Sequence, residues 1–104
     1  MGKATGILEV YGLAAAFVAV DAGCKAANVT VETLDKNKPG NADALPVPLI
    51  VAIKFRGNVA DVKAAVEAAA EAAKNITGVI TQHIIPNTEE STEKMLKLNA
   101  FDKK

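Results

Sequence analysis

Residues 49–74 read LIVAIKFRGNVADVKAAVEAAAEAAK, and the change of period inside this stretch decides the fold class. Leu49 to Phe55 is a near-continuous apolar run, the pattern of a strand buried on both faces. Arg56-Gly57 reads as a turn, and Asn58 is placed to cap the helix that follows by accepting from its first-turn N–H groups. From Val59 to Lys74 the apolar residues recur at helical spacing, with Val59, Val62, Ala65, Val66, Ala69 and Ala73 on one face. Asp61 in the first turn and Lys74 in the last complement the helix dipole.

The same punctuation organises the flanks. Thr5 to Tyr11 (TGILEVY), with Gly6 and Gly12 near its ends, reads as a strand. Leu13, Ala16, Phe17, Val20 and Cys24 then fall at spacings of three and four, predicting a helix over 13–27 with these residues inward. Asn28 is expected to close it in the left-handed conformation asparagine tolerates. Val29 to Leu34 alternates as a second strand. Thr77-Gly78 breaks the second helix, Val79 to Ile85 (VITQHII) is a fourth strand ending at Pro86, and 88–97 predicts a short third helix with Thr88 and Ser91 as cap candidates. The order β-α-β-β-α-β plus a terminal helix is α+β and ferredoxin-like: a four-stranded, mainly antiparallel sheet with both long helices on one face.

Length and composition narrow the function classes. The chain has 104 residues, half of them apolar, yet only three Phe, one Tyr and no Trp. One domain is expected, and because small side chains bury little area each, much of its stability is expected from packing against other subunits. Twelve basic residues balance twelve acidic ones, and no basic stripe interleaved with aromatics suggests a nucleic-acid partner. The longest apolar stretch, Leu45 to Ile53, contains two prolines and falls short of the roughly 20 residues a membrane span needs. The opening MGKATGILEV lacks a secretory pattern, so a soluble cytoplasmic protein without a membrane partner is expected.

Chemistry-bearing constellations are not apparent. Cys24 is the single cysteine; without CxxC or Cys/His clusters no metal is expected, and its helical setting reads as a small buried apolar residue. Glu9, Asp21, Asp35, Asp43, Asp61, Glu67 and Glu71 are scattered, and His83 has no serine or cysteine placed as a partner. KPGNADA lacks the glycine spacing of a phosphate cradle. Neither LIVAIKF nor LEVY supplies the exposed aromatics of an RNA-recognition sheet. No enzyme and no cofactor are expected.

The ordered segments do carry a resemblance. TGILEVYGLAAAFVAVDAGCKAANV resembles the first strand and helix of bacterial microcompartment shell proteins, FRGNVADVKAAVEAAAEAA resembles their third strand and second helix, and GVITQHIIPN resembles their last strand. The resemblance implies a single BMC shell domain over 1–104, with a core at 4–87, a pore loop at 36–49, and a C-terminal helix and tail at 88–104. It implies homohexamers tiling with other shell proteins into a shell around encapsulated enzymes, with small metabolites crossing at axial pores; a closed ring uses one heterologous interface six times. Lys25 and Asn28 in CKAANV match residues at the hexamer–hexamer edge. Asn87 stands where many members carry an edge arginine.

The passage 37–50, NKPGNADALPVPLI, departs from that family. Typical members join the second and third strands by a short glycine-rich turn whose backbone lines the pore. Counting back from Arg56-Gly57, Val47-Pro48-Leu49 occupies that place, so Leu45, Pro46, Val47, Pro48 and Leu49 are the expected pore lining. Lys36, Lys38 and Asp43 would set the charge at its mouth. Prolines donate no N–H, so copies of LPVP on one axis would form an apolar collar rather than a rim of donors. Some members hold an iron–sulfur cluster through a cysteine in this loop; this chain has none there, so no cluster is expected. The alternative reading is a small oligomeric metabolite-binding regulatory protein of the same ferredoxin-like fold.

Overall fold

The computed structural model describes residues 3–38, 40, 42–44 and 49–99. Its elements are β1 (Ala4–Tyr11), α1 (Leu13–Ala26), β2 (Thr30–Asn37), a single 3-10 turn (Ala42–Ala44), β3 (Ile50–Gly57), α2 (Val59–Lys74), β4 (Val79–Ile85) and α3 (Glu90–Leu96). The strands form one antiparallel sheet in the order β2-β3-β1-β4, the expected ferredoxin-like arrangement.

Alternation along the strands gives the sheet two unlike faces. Leu8, Val10, Val51, Ile53 and Phe55 are fully buried with Ala15, Ala16 and Ala19 of α1 and Val62, Ala65, Ala69 and Ala73 of α2. Alanine and glycine let these layers approach closely. A Cβ on Gly23 would stand 2.7 Å from the Phe55 ring, and one on Gly6 would stand 2.5 Å from the Val66 side chain. The opposite face carries Thr5, Lys54 and Arg56, buried although polar, and α3 lies over it.

Local corrections follow from this packing. Arg56-Gly57 ends β3 rather than turning. The inward face of α1 is Ala15, Ala16, Ala19 and Gly23, because only small residues fit beneath α2 and beside Phe55; Phe17 is 58% exposed and Cys24 is exposed. Val59 is likewise exposed at the start of α2. The α1 terminus does not use a left-handed asparagine: Ala27 is extended (φ −156°), and the only positive-φ described residues are Gly12 and Gly78. Asn58 caps α2 as expected, its side chain accepting from the Asp61 N–H at 2.9 Å. In α3 the cap is Glu89, which accepts from the Ser91 N–H. Thr88 is instead buried, its hydroxyl paired with that of Thr5 at 2.6 Å.

Candidate functional site

Strand register determines where the expected site residues sit. One row across the sheet runs Thr30, Arg56, Thr5, Ile85. Just beyond it lie Asn28, Gly57, Ala4 and the Pro86-Asn87 exit from β4. At the other end Asn37 pairs with Ile50, and Ile50 with Tyr11. Strands rise about 3.3 Å per residue, so their opposite ends are about 25 Å apart.

The connection between β2 and β3 leaves and rejoins the sheet at the Tyr11 end. β2 continues to Asn37, pairing Lys36 with Val51, so the loop begins at Lys38 rather than at residue 36. Asp43 and Ala44 in its 3-10 turn are exposed. Its far base is fixed where the Gly12 N–H donates to the Leu49 carbonyl at 2.8 Å. Gly12 has φ 86°, a conformation that favours glycine, and it redirects β1 into α1 at that contact. Leu49 is half-buried against the core. Leu45, Pro46, Val47 and Pro48 lie outside the described residues.

The expected edge residues occupy the other end. Lys25 projects from the last turn of α1 with its side chain 76% exposed, paired to Asp21 at 2.8 Å. The Asp21 hydrogen bond and charge raise its pKa above the ordinary lysine value. The backbone N–H of Asn28 donates to Asp61 Oδ1 at 3.4 Å, tying this corner to α2. Asn87 is exposed, and the residue after it is anchored: the Thr88 N–H donates to the Lys3 carbonyl at 3.0 Å. The fold thus sets Lys25, Asn28 and Asn87 at one end and the two bases of the 38–49 connection, at Asn37 and Leu49, at the other.

A cluster that the linear pattern does not announce covers the polar face. Arg56 donates to both oxygens of Glu93, at 2.5 and 2.7 Å, while Glu32 stands 3.5 Å from its Nη1. Glu32 shares the face of Thr30 and Arg56 by simple alternation, and the register slip between Val31 and Thr33 is a bulge that brings Thr33 onto that face as well, opposite Lys54. Arg56 holds the Glu93 carboxyl below its usual pKa, and Glu93 raises that of Arg56, in both cases chiefly through this hydrogen bond. Lys54 donates to the carbonyls of Leu96 and Leu98 at 3.2 and 2.7 Å. The only sequence signal for this cluster was a Lys and an Arg at alternate positions of a buried strand.

Two concavities border these features. A hollow of about 120 Å³ lined by Glu9, Asp35, Lys36, Asn37, Ile50 and Ala52 lies toward the loop end of the polar face. An apolar groove of about 420 Å³ runs between α1 and β2, lined by residues including Leu13, Phe17 and Leu34. Among the described residues no group of three or more His, Cys, Asp or Glu side chains is placed to hold a metal, and no helix is long and apolar enough to cross a membrane. His83 is exposed on the edge strand β4.

An antiparallel sheet backed by two helices, with the β2–β3 connection leaving it at one end and exposed polar residues at the other, defines a small α+β subunit without an evident reaction centre among its described residues. The BMC domain family matches residues 4–88, and the chain belongs to that family. It is 38% identical over 94 residues to the bacterial microcompartment shell protein PduA of Citrobacter freundii, covering 90% of this chain and 91% of that one. It is 34% identical over 100 residues to the carboxysome shell protein CcmK2 of Synechococcus elongatus, covering 94% and 89% respectively. A microcompartment protein from Desulfitobacterium hafniense DCB shares the fold, with TM-score 0.71 at 21% identity, over 90% of this chain and 48% of that one.

Proposed function

We propose that this chain is a non-enzymatic, cytoplasmic shell subunit of a bacterial microcompartment that closes into homohexamers, with the 38–49 loop at the axis and Lys25, Asn28 and Asn87 at the rim. The observation that carries this reading is the separation of these features to opposite ends of the sheet, together with the shell-protein relatives. A ring subunit needs one end for the axis and another for its neighbours in the layer. It also needs a side surface that its own core does not use. The outward face of α1, where Phe17 is 58% and Val18 43% exposed beside the Leu13–Leu34 groove, supplies one. Covering the exposed part of Phe17 with an adjacent copy would contribute about 1–2 kcal/mol per interface.

The mechanism is mechanical and selective. The rigid body sets the ring, Lys25 bridges rings, and Leu45, Pro46, Val47, Pro48 and Leu49 narrow the axis. Proline copies present apolar surface and few N–H donors, so small uncharged metabolites pass more readily than ions through such a collar. Other shell proteins adjoin the rim, and encapsulated enzymes lie on the enclosed side. Size-exclusion chromatography with light scattering tests the ring: a hexamer mass is expected, and a stable monomer at micromolar concentration contradicts it.

A further inference from the structure

The segment Glu90–Leu98 lies across the polar face of the sheet, and its attachment is mostly electrostatic. A helix of seven residues does not persist in water by itself, because fixing the first turn is unfavourable and few hydrogen bonds follow. α3 therefore depends on docking. Leu96 is its one buried residue, whereas Met95 and Leu98 are 63% and 58% exposed. The attachment also includes the Arg56–Glu93 pair, the Lys54 bonds to the Leu96 and Leu98 carbonyls, and the Thr33 hydroxyl, 2.7 Å from the Leu96 carbonyl and 3.4 Å from that of Leu98.

Each cation that holds α3 also has an acidic neighbour on β2. Glu32 stands 3.5 Å from Arg56 and Asp35 stands 4.0 Å from Lys54. Losing α3 would leave neither cation as an isolated buried charge, which is the main reason that breaking such pairs is usually costly. The chain before α3 is fixed separately, through the Thr88 hydroxyl on Thr5 and the Thr88 N–H on the Lys3 carbonyl. A hinge at Glu89 would thus free the helix without disturbing β4.

We propose that α3 is a releasable strap. It lifts from the sheet while the body stays folded, and Arg56 and Lys54 pass from Glu93 and the two carbonyls to Glu32 and Asp35. Release bares the Lys54–Arg56 half of the polar face and joins it to the hollow at Ala52 and Asp35, since Thr33 pairs with Lys54 and Asp35 with Ala52. The cations facing Glu93 are Arg56, Lys3 and Lys97, the residue that follows its own helix, so salt weakens the docked state.

Hydrogen exchange read by mass spectrometry on the full-length protein, as assembled, tests the strap without reference to a shell function. Amides of 91–98 are expected to exchange faster than those of 50–57 and 59–74. Molar salt, and separately Glu93→Gln, should each accelerate 91–98 by at least about threefold while leaving the other two segments unchanged. Equal protection of all three segments would overturn the proposal, as would salt or Glu93→Gln accelerating all three alike or none.

Discussion

The two faces of one sheet are held by different physics. On the helix face, apolar side chains and small residues interlock so closely that a single added methyl at Gly6 or Gly23 has no room. On the polar face, a short helix is held by an arginine, a lysine and a hydroxyl, with one buried leucine. Close packing is short-ranged and insensitive to salt or pH, whereas charge-assisted contacts respond to both. The comparison teaches that the body and the strap can fail independently, although β3 carries the key residues of both: Phe55 faces the helices while Lys54 and Arg56 face α3.

That contrast is most easily broken at Phe55. Phe55→Ala should cost about 3–5 kcal/mol in thermal or denaturant unfolding, because the ring is fully buried and fills the space beside Gly23. A cost below 1 kcal/mol would mean that the helix face tolerates repacking. Gly6→Ala should cost about 1–3 kcal/mol, since valine side chains on α2 cannot swing aside cheaply. Retained stability with an unchanged α2 position would show that the layers are less tightly seated.

Acid should act on the other face with a smaller effect. Arg56 lowers the folded-state pKa of Glu93 below its ordinary value of 4.5. Its stabilisation is therefore fully present above the unfolded pKa and is lost as pH falls through the folded one. Tryptic cleavage at Lys94 and Lys97 is unsuitable at such pH, so pepsin susceptibility of 90–98 is the appropriate measure. It should rise below about pH 4.5 before the body unfolds. Simultaneous loss of both would contradict separate stabilisation.

Much of this architecture was legible because the helix face obeys simple periodicities. The 59–74 helix, its Asn58 cap and the 79–85 strand follow from spacing and turn chemistry alone. The inward face of α1 does not follow its spacing, which favours the larger Phe17 and Cys24, because close approach to Phe55 selects Ala and Gly. The strap cluster was hidden for another reason. Glu93 lies 37 residues from Arg56 in sequence, and Thr33 faces α3 only through a bulge that alternation does not reveal. Positions of Lys25, Asn28 and Asn87 at one end emerged only from strand register, while their roles and that of the loop rest on the family resemblance.

The ring account turns on which end of the subunit meets the axis. In a Cys24→Ser background, spin labels placed at Val47→Cys or at Asn87→Cys in separate samples allow distances between copies to be measured by pulsed electron resonance. In isolated, untiled rings, if the loop is axial and Asn87 lies at the rim, labels at position 47 will show the shorter nearest-neighbour distance and those at 87 the longer. The reverse order, or the absence of any distance between copies, would contradict the account.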